Sequence, residues 1–130
     1  MSGVFDISVM TDFAASHIIH GHPGKCARLH GHNWKVEACV RISSDSLNEI
    51  GIGIDFKDLK IILREVVDVL EHRHLNDIKP FDKINPTAEN VSKWIYSELS
   101  RLLLEKNIQA SVQFLALWEN DRSCVKYSEK

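Results

Sequence analysis

The chain has 130 residues, 44% hydrophobic and 26% charged, and its 16 Lys plus Arg against 18 Asp plus Glu leave a net charge of −2. This describes one globular domain over residues 1–130, long enough to bury a core without disulfides, with no electrostatic ground for a nucleic-acid or membrane partner. Cys26, Cys39 and Cys124 leave one thiol over in any pairing, and no apolar run approaches the ~18 residues of a spanning helix, so the expected setting is the reducing cytoplasm.

From Val4 to Phe13, the residues Phe5, Ile7, Val9 and Phe13 share one face at period two, which predicts a half-buried strand. From Asn33 to Ser43, Trp34, Val36, Ala38, Val40 and Ile42 alternate with Lys35, Glu37, Cys39 and Arg41 and predict a second. Between them Ala14 to Gly31 reads as an 18-residue connection, a length typical of functional loops. Asp55 with Asp58 has the form of a helix start, and Leu59, Ile62, Leu63, Val66, Val67 and Leu70 extend the helix from Phe56 to Glu71 or His72. After Pro80 and Pro86, Thr87 is placed to cap a second helix whose stripe runs through Val91, Trp94, Ile95, Leu99, Leu102 and Leu103 to end near Asn107. Val112 to Trp118 and Cys124 to Tyr127 close the chain as two short strands around Asn120-Asp121. The order ββααββ predicts an α+β fold, a four-stranded antiparallel sheet with two helices on one face. Its two open edges favour pairing between subunits.

The seven histidines are unusually grouped. Composition alone gives about 0.4 His-x-His pairs in a chain of this length, yet three occur: His20/His22, His30/His32 and His72/His74. In a strand, residues i and i+2 point to one face, so His30 and His32 can reach one metal ion while Gly31 adds no bulk. Spacing leaves the third ligand open among His17, His20 and His22. Cys26, between Lys25 and Arg28 in a loop, has cationic neighbours that favour a thiolate and is a candidate base or nucleophile. Cys39 and Cys124 fall in strands and read as structural. In Leu70-Glu71-His72 a carboxylate beside an imidazole can orient it for proton transfer, though basic residues closing a helix would give the same pattern. Glu119, taken alone, is a strand-end residue.

Four segments in order resemble the 6-pyruvoyl-tetrahydropterin and 6-carboxytetrahydropterin synthase family. They are Phe13-Ala14-Ala15-Ser16-His17 (F-x-A-x-H), Cys26 to His32 (C-x3-H-G-H), Leu70-Glu71-His72 (L-D-H) and Asn85-Pro86-Thr87-Ala88-Glu89 (N-P-T-x-E). The resemblance implies the tunnelling fold, with strands joining across subunits into a barrel, and a homohexamer of two stacked trimers. It selects His17, with His30 and His32, for Zn2+, and implies Cys26 as catalytic base, His72 and Glu71 as relay partners and Glu119 as the carboxylate that anchors the pterin. Glu71 departs from the usual Asp. The implied substrate is a small pterin triphosphate, 7,8-dihydroneopterin triphosphate. Three residues between Cys26 and His30 resemble the 6-carboxytetrahydropterin branch of queuosine and deazapurine biosynthesis. The 6-pyruvoyl reaction, without chain cleavage, and a non-enzymatic zinc- or pterin-binding paralogue are the alternatives.

Overall fold

The structure, a computed structural model, describes residues 3–129. Strands β1 (Val4–His17) and β2 (His30–Ser43) form a long antiparallel pair running from Val4 opposite Ser43 to His17 opposite His30. Both strands therefore continue through much of the expected loop, which shrinks to residues 18–29. The inward positions near the turn are Ala15, His17, His30 and His32, so an apolar alternation read from the sequence stops short of the strand ends.

Helix α1 (Phe56–Asp68) starts as expected, with the Asp55 carboxylate accepting from Lys57 N–H, but ends before Glu71. Leu70 N–H turns back to the Val67 carbonyl, His72 adopts φ 58°, and its N–H donates to the Ala14 carbonyl at 2.7 Å. Bonding to β1 displaces the last helical turn and creates β3 (Arg73–His74), a short parallel strand beside Ala15 and Ser16. The sheet consequently has five strands rather than four, in the order β3-β1-β2-β4-β5, with β4 at Ser111–Asn120 and β5 at Ser123–Tyr127. Helix α2 (Ala88–Glu105) is capped by the Thr87 hydroxyl, which accepts from Asn90 N–H, and the turn beyond it contains Asn107 at φ 56°, a conformation asparagine tolerates.

The helices cover one sheet face. Leu59, Leu63 and Val67 of α1 and Val91, Ile95 and Leu99 of α2 are fully buried with Trp34, Val36 and Val40 of β2, and each large side chain so buried contributes about 1.5–3 kcal/mol of hydrophobic stabilisation. Phe13 and Trp34 stack at 5.8 Å with rings 4° from parallel, and the indole N–H donates to the Ala15 carbonyl, forming a rigid floor under the histidine end of the pair. Phe5, expected in the core, is 47% exposed; it lines an open apolar hollow with Leu47, Ile52 and Phe56, the first residue of α1. Among the described residues no helix is long and apolar enough to cross a membrane.

Candidate active site

Cross-strand register assembles the imidazoles. His17 lies opposite His30, and Ala15 opposite His32, so all three rings share the helix-covered face at the end where helix cover stops. Ring centroids are 4.4 Å apart for His17–His30, 5.1 Å for His17–His32 and 4.9 Å for His30–His32. Each offers one nitrogen to a group whose ligand atoms lie within 4.8 Å of one another. His20 and His22 stay outside it, exposed, with His22 Nδ1 accepting from Gly24 N–H.

Hydrogen bonds decide which nitrogens face the centre. His17 Nδ1–H donates to the Pro86 carbonyl at 2.8 Å, and His30 Nδ1–H to the Arg28 carbonyl at 2.6 Å. A carbonyl only accepts, so both rings carry their proton on Nδ1 and turn a bare Nε2 lone pair inward when neutral. His17 Nε2 and His32 Nε2 are buried without any hydrogen-bond partner, an arrangement that costs free energy unless something electrophilic occupies the space between them. His17, 1% exposed, is held down to a pKa of about 4 by burial, against which the Pro86 bond works and to which the nearby imidazoles add. His32 is lowered as well, first by burial, with Glu119 opposing and His30 assisting. The three convergent imidazoles, two of them with an unpartnered buried nitrogen, form a donor set that could hold a metal ion.

Around this group the expected residues occupy distinct places. Glu119, at the end of β4, brings Oε2 to 3.9 Å from His32 Nε2. Glu71 Oε1 lies 3.3 Å from His72 Nε2, while Oε2 accepts from Ala14 N–H at 2.8 Å and Arg64 stands 3.5 Å away. The carboxylate is thereby fixed to the edge of β1, and the His72 ring projects into solvent with its side chain 78% exposed. Cys26 sits half-buried in a single 3-10 turn, Lys25–Ala27, and is not a member of the mutually close group. Cys39 is buried and Cys124 exposed. Gly31 opens on a groove with Ser16, Asn33 and His74; a Cβ there would meet the Ala15 carbonyl at an ordinary 3.7 Å, so packing within the chain does not demand glycine.

Sequence reasoning missed the Pro86 carbonyl and the His74–Ser16 hydrogen bond of 3.0 Å. Main-chain partners have no residue-type signature; the sequence marks Pro86 only as a proline before the second helix, within Asn85-Pro86-Thr87.

The 6-pyruvoyl tetrahydropterin synthase family model matches residues 6–130. The chain belongs to that family. A 6-carboxy-5,6,7,8-tetrahydropterin synthase from Haemophilus influenzae is 31% identical over 148 aligned positions, covering 97% of this chain and all of that protein. A dihydroneopterin monophosphate aldolase from Pyrococcus furiosus is 36% identical over 97 positions, with 72% of each chain covered. Among solved structures, the 6-pyruvoyl tetrahydropterin synthase of Caenorhabditis elegans superposes with a TM-score of 0.81 at 21% identity over 98% of this chain and 97% of that one, which places the fold among the family's tunnelling folds.

Proposed function

We propose that this chain is a zinc-dependent lyase, a 6-carboxy-5,6,7,8-tetrahydropterin synthase. It would convert 7,8-dihydroneopterin triphosphate and one water to 6-carboxytetrahydropterin, acetaldehyde and triphosphate, a reaction suited to queuosine or deazapurine biosynthesis. The observation that carries the reading is the convergence of the His17, His30 and His32 imidazoles, with the buried Nε2 atoms of His17 and His32 lacking any hydrogen-bond partner, beside the Glu119 carboxylate. Relatives named for the carboxy reaction supply the product class.

In this reading His17, His30 and His32 hold Zn2+, which supplies Lewis-acid polarisation of the substrate's side-chain hydroxyls. Glu119 accepts hydrogen bonds from the pterin amino group and ring N–H, a pairing two carboxylate oxygens can make side by side. Cys26, as thiolate, takes a carbon-bound proton from the substrate side chain. His72 passes protons to and from the side-chain oxygens, and Glu71, 3.3 Å from its Nε2, orients the ring. The outer edge of β5, and that of β1 over the stretch from Val4 to Met10 that β3 does not reach, support assembly into a barrel and a homohexamer of two stacked trimers, in which a neighbouring subunit would enclose the exposed His72. Residues 1–130 would act as one domain in the cytoplasm.

Incubation of the zinc-loaded protein with dihydroneopterin triphosphate should release carboxypterin, acetaldehyde and triphosphate in equal amounts. Triphosphate with a pyruvoyl product and no acetaldehyde would assign the 6-pyruvoyl reaction, and turnover confined to the monophosphate an aldolase. Binding without turnover would leave a zinc or pterin carrier.

A further inference from the structure

The outer edge of β1 and of the residues that follow it is bonded through Ala14, Ser16, Ile18 and His20, alternate residues of the chain. Ala14 is satisfied by Glu71 Oε2 and His72 N–H, and Ser16 lies opposite His74 of β3. Beyond the two residues of β3, side chains take over. Asn76 Oδ1 accepts from Ile18 N–H at 2.9 Å while its Nδ2 donates to the Ile18 carbonyl at 3.0 Å. Asn85 treats His20 the same way, at 2.9 and 2.8 Å. A primary amide carries one acceptor and donors in fixed geometry, so each asparagine closes on both backbone groups of one residue, as a strand would.

The opposite edge of this segment leads to the thiol. Ile19 N–H donates to the Cys26 carbonyl at 2.8 Å, so Cys26 hangs from the residue between the two clamped ones. The remaining bonds of the turn, Ala27 N–H to Gly24 and Arg28 N–H to Lys25, shape it internally. Apolar packing gives little anchorage: Leu29 is 65% exposed, and Gly21 takes φ 87°, a conformation open to glycine without strain. Among the described residues, the side-chain hydrogen bonds that tie residues 18–29 to other elements are those of Asn76, Asn85 and His30. Asn85 is itself held, its carbonyl accepting from Asn90 Nδ2 of α2 at 2.9 Å.

We propose that Asn76 and Asn85 are positioning residues that fix the Cys26 turn relative to the His17–His30–His32 cluster. The N-P-T segment then has three linked duties: Asn85 clamps His20, the Pro86 carbonyl orients His17, and Thr87 starts α2. The importance of the clamps for catalysis rests on the proton-transfer role given to Cys26; the clamps themselves are testable without turnover.

The experiment uses Zn2+-reconstituted full-length protein carrying Cys124→Ser, which leaves Cys26 half-buried and Cys39 buried. Iodoacetamide modification of Cys26 is followed by mass spectrometry. Asn76→Ala and Asn85→Ala should each accelerate it about tenfold, as loss of one to two net hydrogen bonds would. The corresponding Asp variants, which keep the acceptor and lose the donor, should fall between, with zinc content unchanged. If Asn85→Ala does not fold, Asn76→Ala and the two Asp variants decide the matter. Unchanged Cys26 modification in the folded variants would overturn the proposal, even with faster hydrogen exchange at His20, because the clamps would then serve the strand edge alone. Faster modification accompanied by equal loss of zinc would also overturn it, moving the clamps to the metal site. Failure of the parent protein to turn over pterin would strike the proposed reaction and leave this result intact.

Discussion

The Nδ1–H of His17 donates to the Pro86 carbonyl at 2.8 Å, so a residue of β1 takes its tautomer from the segment that opens α2. Sheet register brings His17 opposite His30, and this bond turns the correct nitrogen inward. His17→Ala should therefore abolish stoichiometric zinc binding, since two imidazoles remain and one of the orienting contacts is gone. His20→Ala, which removes an exposed ring and leaves the backbone clamp from Asn85, should keep it. Metal analysis after dialysis compares the two, and zinc loss in His20→Ala with retention in His17→Ala would reverse the ligand assignment.

Burial holds the His17 imidazole at a pKa of about 4, below its unfolded value of 6.5. The folded state thus binds fewer protons than the unfolded one in that interval, so this contribution to stability is complete above pH 6.5 and is lost as pH falls toward 4. His32 is shifted the same way. Melting temperatures of chelator-treated protein should be flat near neutral pH and fall across this window. His17→Gln, with no titrating ring, should show a shallower fall; an identical slope would remove His17 from the acid transition.

Cys26→Ala should keep the fold and bind zinc while losing about 10²–10⁴-fold in turnover, the usual worth of a positioned proton-transfer group. Its side chain lies outside the mutually close imidazole group, so metal content should not follow activity. Near-native turnover would take Cys26 out of the mechanism.

Much of this arrangement was legible in the sequence for particular reasons. The helical stripes of α1 and α2 and the alternation from Trp34 to Ile42 report burial directly, because hydrophobic side chains face the core. The ends of β1 and β2 were not legible, since their inward positions hold imidazoles, which break the apolar alternation and look like loop residues. β3 was equally hidden: two residues have no periodicity, and Arg73 and His74 pair with β1 because the chain, past the end of α1, turns at His72 with φ 58°. Spacing left three histidines open as the third donor; the F-x-A-x-H resemblance selected His17, and the register of the folded pair gives the physical reason by placing it opposite His30.

Glu71 carries two duties that a shorter acid cannot share equally. Its Oε2 accepts from Ala14 N–H and its Oε1 faces His72. Glu71→Asp should lose the reach to Ala14 and cost about 1 kcal/mol of stability, the net worth of one hydrogen bond. If the His72 contact is the one retained, turnover stays near that of the parent protein. A stability loss near zero in denaturant titration would show that the Ala14 bond is energetically neutral, and a collapse of turnover without unfolding would show that the longer acid is needed to hold His72.

Glu119 faces the cluster from β4, and its Oε2 stands 3.9 Å from His32 Nε2, too far for a hydrogen bond yet near enough to oppose the lowering of that imidazole's pKa. A carboxylate kept beside the histidine cluster but outside its mutually close donor group is free to accept from a ligand's N–H groups. Glu119→Gln preserves shape and removes the charge and one acceptor, so the pterin's paired donors would meet an amide N–H at one position. The expected result is a KM raised about tenfold, as loss of a charge-assisted hydrogen bond worth roughly 1.5–3 kcal/mol allows, with zinc content unchanged. Glu119→Asp should partly restore affinity because the charge returns while the reach shortens. Unchanged KM in both variants would make Glu119 a strand-end residue beside Asn120 and Asp121, and zinc loss in Glu119→Gln would instead place its carboxylate in the metal site.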